Sequence, residues 1–209
     1  LIADKTFGPQ LNLRQVPRMS VKSAYTLEDR LFIPEGIAYD ADSDRMFIGS
    51  LSQSKIITRS ANGKTSDFFK PEGAQWSFVG MKIYDDDLWA CAFSEDGTNN
   101  GDGVLFQVDR RSGRLKNEFR LNEGVHLFND MVKTPWGTIY ITDSKGRHVY
   151  MLENGKFRPV ADSAAFVYPN GIAYDEVAKR LFVADWMGIS VIDVETETVK
   201  PLQTNGRFY

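Results

Sequence analysis

Three oxygen-rich side chains recur at one place in a repeated phrase. Residues 34–40 read PEGIAYD, 128–132 read FNDMV and 169–175 read PNGIAYD, so Glu35, Asn129 and Asn170 each stand one residue before a Gly or, in FNDMV, an Asp. A further copy, FVGMKIYDDD from Phe78, has Val79 at that place. A carboxylate and two amide carbonyls form a hard donor set that suits Ca²⁺ first, with Zn²⁺ or Mg²⁺ as alternatives. Three oxygens are fewer than calcium takes, so water, substrate or another part of the chain must complete the shell. The set exists only if the segments converge, and that depends on the elements carrying them.

Anchored on Gly36, Gly80, Asp130 and Gly171, the copies lie about 44, 50 and 41 residues apart, within the range of propeller blades. Each copy has an apolar run, a polar turn (DADSD, DDD, TPWG, DEVAK) and a second run (RMFIGS, LWACAFS, TIYITDS, RLFVADW), which together read as a β-hairpin. A third run and a further turn follow, as in VLFQVDRRSGRLKNEF and HVYMLENGKFRPV, where SG and NG sit between β-prone segments. No segment keeps apolar residues at i, i+3, i+4 and i+7 over a dozen positions. The expectation is one all-β domain, a β-propeller of four-stranded antiparallel blades with repeats near 32–71, 76–121, 125–163 and 167–203. A sandwich would not require the same strand order in every repeat. In a propeller the first strand of each blade lines the central channel, so Glu35, Val79, Asn129 and Asn170 would face one axis at one mouth. Framework residues repeat because the blades fold alike, and the axial position is free to vary.

PEGIAYD, FNDMV and PNGIAYD, in this order and spacing, resemble the senescence-marker-protein/gluconolactonase family, with kinship to the paraoxonases and the strictosidine-synthase-like propellers. The resemblance covers about Phe32 to Leu202. It implies a six-bladed propeller that hydrolyses a small-molecule lactone or other ester. It also implies a divalent metal on the axis, held by a Glu of the first blade, the Asn of ND, the Asn of PNG and an Asp from a later blade. Carried over by motif, the metal ligands are Glu35, Asn129 and Asn170, and the ND asparagine contacts substrate in some members, which gives Asn129 a second role. Four repeats are visible. A fifth, expected to hold the Asp ligand, would begin near LQTNGRFY, so the chain is either a fragment or closes differently from the family; the expectation is a ring of the family's kind left incomplete, whose last segment, TVKPLQTNGRFY, exposes an edge or is poorly ordered.

Other residues are candidates for the chemistry around such an ion. His126, three residues before Asn129, has a near-neutral unperturbed pKa and is a candidate general base. Asp130 is a second candidate base, or a carboxylate at the edge of the site. Trp76, just ahead of the second repeat, is a candidate substrate wall. Trp186 reads as packing between blades, His148 carries no functional reading, and Cys91, inside LWACAF, reads as a small buried apolar residue. The run DGTNNGDG looks like a calcium loop, but Gln107 stands where the bidentate Glu is required, and a long hairpin loop accounts for it better. Asp85, Asp86 and Asp87 read as a tight solvated turn. The net charge of −3 with scattered Lys and Arg argues against nucleic acid as a partner, and no apolar run reaches the length of a membrane span. The leading functional reading is a metal-dependent lactone or ester hydrolase. The alternative is a binding or scaffold propeller with a structural ion.

Overall fold

The computed structural model describes residues 23, 25–73, 75–94, 101–161 and 163–202. Four antiparallel sheets of four strands follow one another along the chain. The first holds β1 (Pro34–Asp40), β2 (Arg45–Ser50), β3 (Ile56–Ser60) and β4 (Thr65–Phe69). The second holds β5 (Trp76–Tyr84), β6 (Asp87–Ser94), β7 (Gly103–Asp109) and β8 (Leu115–Leu121). The third holds β9 (Phe128–Lys133), β10 (Ile139–Asp143), β11 (His148–Glu153) and β12 (Lys156–Pro159). The fourth holds β13 (Ile172–Asp175), β14 (Arg180–Asp185), β15 (Gly188–Asp193) and β16 (Val199–Pro201). Every sheet has its strands in sequence order, so each is a meander closed by short turns. In the β11–β12 turn Asn154 and Gly155 both have positive φ, the conformation that matches the twist of a two-residue hairpin. A single 3₁₀ turn, Ser163–Ala165, is the only helical element among the described residues.

The sheets pack face to face in chain order. Ala38 and Phe47 of blade 1 meet Phe78, Met81 and Phe106 of blade 2 in one apolar cluster. Val79, Cys91 and Leu105 of blade 2 meet Phe128, Met131 and Ile141 of blade 3 in another, and Tyr140 and Val149 of blade 3 meet Ile172, Leu181 and Val183 of blade 4 in a third. The inner strand has period two, so alternate residues face the blade before and the blade after. Ile37, Met81, Met131 and Ile172 hold the same place in their repeats, and their exposures of 59%, 4%, 0% and 6% show that only the first lacks a preceding blade. Its counterpart on the other side is Ala38, which is buried, whereas Ala173 of the last blade is exposed. Among the described residues no apolar cluster joins blade 4 to blade 1. Tyr25, Leu27 and Phe32 cover part of the open face of blade 1 by packing on Met46, Ile48 and Ile57.

Ionic clasps tie the blades at their rims. Arg110 of blade 2 is buried and pairs with Asp40, with Asp42 at 2.8 Å and with Asp86 at 3.4 Å. Lys133 reaches Asp85 at 2.7 Å, and Arg158 reaches Glu197 at 2.6 Å. The three aspartates of the β5–β6 turn are therefore counter-ions: Asp85 to Lys133, Asp86 to Arg110 and Asp87 to Lys116.

Two aromatic expectations need correction. Trp76 does not wall an open pocket: it is 2% exposed, packs edge-on against Phe106 and lies under the Arg120 guanidinium. Trp186 is not packed between blades but 81% exposed, because it lies in the two-residue turn between β14 and β15. The segment 95–100, most of the DGTNNGDG run, and residues 203–209 at the C-terminal end lie outside the described residues.

Candidate functional site

The strand-pairing registers show what aims the candidate ligands. Pro34 pairs with Ser50 and Ile37 with Ile48, leaving Glu35 and Gly36 opposite the single residue Gly49. In the same way Val79 and Gly80 face Cys91, and Asn129 and Asp130 face Thr142. Asn170 and Gly171 share Ala184, whose carbonyl accepts from the Asn170 N–H and whose N–H donates to the Gly171 carbonyl, each at 2.8 Å. β1, β5 and β9 thus carry a β-bulge at the same two residues, and Asn170 and Gly171, just ahead of β13, repeat the place in their hydrogen bonds to Ala184. A bulge breaks the alternation of the pleat and re-aims the side chain of its first residue. That first residue is Glu35, Val79 or Asn129, with Asn170 at the same place ahead of β13, so three of the four positions hold an oxygen-bearing side chain.

The second residue of the bulge sets how closely neighbouring inner strands approach. A Cβ added at Gly36 would fall inside the Val79 carbonyl, and one at Gly80 would run into the Asn129 carbonyl and lie 2.8 Å from Asp130 Oδ1. In blade 3 the glycine is replaced by Asp130. Its Oδ2 accepts the Ile172 N–H of blade 4 at 3.2 Å, and its Oδ1 lies 3.4 Å from Lys82 Nζ of blade 2. Thr142, across the bulge, accepts from the Asp130 N–H at 3.1 Å and donates to the Asn170 carbonyl.

The four positions differ in how they are held. Glu35 is exposed as a residue and borders a groove of about 680 Å³ on the open side of blade 1. Its carboxyl pKa is nevertheless raised, first by local burial and second by the negative charge of Asp130. The bulges of blades 1 and 3 are therefore within electrostatic reach of each other across the inner strands. Asn129 is buried, and its Nδ2 donates to Ser144 Oγ at 3.0 Å, which in turn donates to the Pro169 carbonyl at 2.6 Å. That bond fixes the amide and leaves Oδ1, the atom a cation needs, outside it. Asn170 is exposed, and Val79 is buried among Cys91, Leu127 and Met131. Cys91 is fully buried, and its thiol pKa is pushed well up by burial and then by the charge of Asp130, so it serves as a small apolar residue opposite its bulge.

His126 lies beside the site but faces inward. It is 6% exposed, with Nδ1 2.6 Å from Asp143 Oδ2 and Nε2 3.1 Å from the Glu123 carbonyl. Burial alone would lower its pKa, yet the hydrogen bond and charge of Asp143 outweigh burial, and the net shift is upward. An acceptor faces each ring nitrogen, so both donate when the ring is protonated. Asp143 is fully buried, and its other oxygen takes the Leu127 and Gly146 N–H groups at 2.8 and 2.9 Å. The pair clamps the segment entering β9 onto the β10–β11 turn and leaves no ring nitrogen to accept a proton from water.

Lys82, Thr142 and Ser144 were not among the residues singled out from the sequence. Lys82 had a readable signal, since the same repeat position holds Ala38, Val132 and Ala173.

No known family profile and no curated protein matches the sequence. Solved structures do. A selenomethionine-substituted virginiamycin B lyase from Staphylococcus aureus superposes with a TM-score of 0.66 at 17% identity, over 87% of this chain and 59% of that one. A gluconolactonase, XC5397 from Xanthomonas campestris, gives 0.61 at 16% identity, over 83% and 63%. The PQQ-bound aldose sugar dehydrogenase from Streptomyces coelicolor gives 0.56 at 13%, also over 83% and 63%. The chain is a β-propeller. This propeller spans 59% to 63% of the length of those three structures. At such identities the likeness speaks for the fold alone.

By type, the donors are those a hard divalent ion takes. All three aimed side chains offer oxygen, and Glu35 lies in the field of a second carboxylate, which a cation would relieve. Among the described residues no group of three or more His, Cys, Asp and Glu side chains gathers, so a site of this kind must draw on amide carbonyls.

Proposed function

We propose that this propeller is a divalent-metal-dependent hydrolase of a lactone or other ester, with calcium as the preferred ion. The observation that supports the reading is the bulge shared by β1, β5 and β9 and echoed by the hydrogen bonds ahead of β13, with Glu35, Asn129 and Asn170 as its first residues in three of the four blades. Glu35 supplies the formal charge of the ligand set, Asn170 a carbonyl, and Asn129 a carbonyl to the ion or to the substrate. When bound, the ion supplies Lewis acidity to an ester carbonyl and stabilises developing negative charge on its oxygen.

The chain's own residues orient the substrate and manage the proton. Asn129, locked through Ser144, presents Oδ1 at a fixed angle. Asp130 is the better placed of the two candidate bases. Its oxygens accept from Ile172 and Lys82 yet keep further lone pairs, whereas both nitrogens of His126 already face acceptors. His126 and Asp143 then act as the clamp that holds the entry to β9.

The test is metal analysis of the purified chain with a screen of lactones and aryl esters, with and without chelator. Hydrolysis that chelator abolishes and calcium restores is the expected result. The Asn129–Ser144–Pro169 bond chain, which pins blade 3 to blade 4, favours the second reading, a structural ion in a binding propeller. Calcium that raises the melting temperature without hydrolysis of any ester would select that reading.

A further inference from the structure

We propose that Lys82 is the internal counter-cation of the axial site, and that by holding Asp130 out of the donor set it restrains the affinity for a divalent ion. The inference rests on the axial-metal reading and concerns a residue that reading does not use.

Three observations carry it. First, an ammonium is not needed for packing at this place, since the equivalent residues Ala38, Val132 and Ala173 are small or apolar. Second, Lys82 lies two residues beyond Gly80 on β5, and its Nζ stands 3.4 Å from Asp130 Oδ1, with 41% of its side chain and 19% of that of Asp130 exposed. The pair therefore opens on solvent and is not sealed in the core. Third, Asp130 immediately follows Asn129 in the same bulge and occupies the place of Gly36, Gly80 and Gly171. A carboxylate beside a candidate ligand is a natural extra oxygen for a site short of donors. Here one of its oxygens is committed to the Ile172 N–H and the other is drawn to Lys82.

Removing the ammonium releases Asp130 Oδ1 and exposes its charge to the ion. A part-exposed ion pair contributes little to stability, so a purely structural role would leave calcium binding unmoved. The experiment is calcium titration by calorimetry on the full chain, comparing the unmodified protein with Lys82→Met, Lys82→Arg and Lys82→Met combined with Asp130→Asn, each checked by thermal melt. Lys82→Gln stands in should Lys82→Met not fold. The expected result is tighter binding by about three- to tenfold in Lys82→Met, no change beyond about twofold in Lys82→Arg, and loss of the gain in the double variant. Binding seen in Lys82→Met but not in the unmodified chain also supports the proposal. Unchanged or weaker binding in Lys82→Met, or a gain that survives Asp130→Asn, overturns it while leaving the axial site standing. No binding by any variant removes the axial site and this role together.

Discussion

Glu35 carries the only formal negative charge among the three aimed ligands, so its loss should matter most. Glu35→Gln is expected to weaken calcium binding by about tenfold or more, and Asn170→Ala by a smaller factor, since it removes one neutral carbonyl. Calorimetric titration checks both, and equal losses in the two variants would refute the assignment of charge to Glu35. The His126–Asp143 pair makes a different prediction, in pH. A histidine whose pKa rises on folding contributes stability that is complete below its unfolded value of about 6.5 and is lost as pH climbs through the higher folded value. The melting temperature should therefore fall as pH rises from about 6.5 through the folded value, and His126→Gln should remove this component. Asp143→Asn, which leaves one partner of a buried pair, should cost about 3 kcal/mol. At this scale the sequence was legible where a residue differed between copies of a repeat, as Glu35 and Asn170 do. It was not legible for His126, whose role depends on Asp143, 17 residues away and brought beside it only by the pairing of β9 with β10.

The element that matters is the bulged inner strand. Its first residue is aimed by the break in the pleat, and its second must be small wherever the next strand crosses closely. Gly36 and Gly171 are the same letter of the repeat, yet their surroundings differ. A Cβ at Gly36 has no room before the Val79 carbonyl, while the nearest atom to one at Gly171 is the Ala184 Cβ at 3.9 Å. Gly36→Ala should thus destabilise by about 2 kcal/mol or more, and Gly171→Ala by about 0.5 kcal/mol or less. Denaturant melts of the two variants decide this, and equal costs would show that the crowding at Gly36 is relieved without effect. The asymmetry follows from position in the array: β1 has β5 beside it, whereas β13 has no following strand among the described residues. Hairpins and turns were legible from local pattern, but the bulges were not, because a bulge is defined by what the partner strand does opposite it.

At the scale of the molecule, the two end blades leave apolar surface uncovered. Ile37 and Tyr39 on blade 1 are more than half exposed; on blade 4 Ala173 and Ala184 of the inner strands are exposed, as are Trp186 and Met187 in the β14–β15 turn. The faces are of opposite kind, one lacking a preceding blade and the other a following one, so they are suited to head-to-tail contact. The chain alone is expected to associate with rising concentration, as measured by light scattering on a sizing column. Trp186→Ser with Met187→Ser should reduce that association while leaving a far-UV circular dichroism spectrum of β type. Association unaffected by both changes would place the contact elsewhere.

The sequence by itself determined the all-β class, the fourfold hairpin order and the candidate identities of Glu35, Asn129 and Asn170, because hydrophobic period, turn residues and repeat spacing are local properties written along the chain. The tertiary structure alone decided that Trp76 is buried and Trp186 exposed, that His126 is clamped by Asp143, and that Lys82 and Asp130 meet between blades 2 and 3. Each of these depends on segments distant in the chain: strand pairing brings Asp143 to His126, the packing of blade 3 on blade 2 brings Asp130 to Lys82, and a repeated sequence writes none of these contacts.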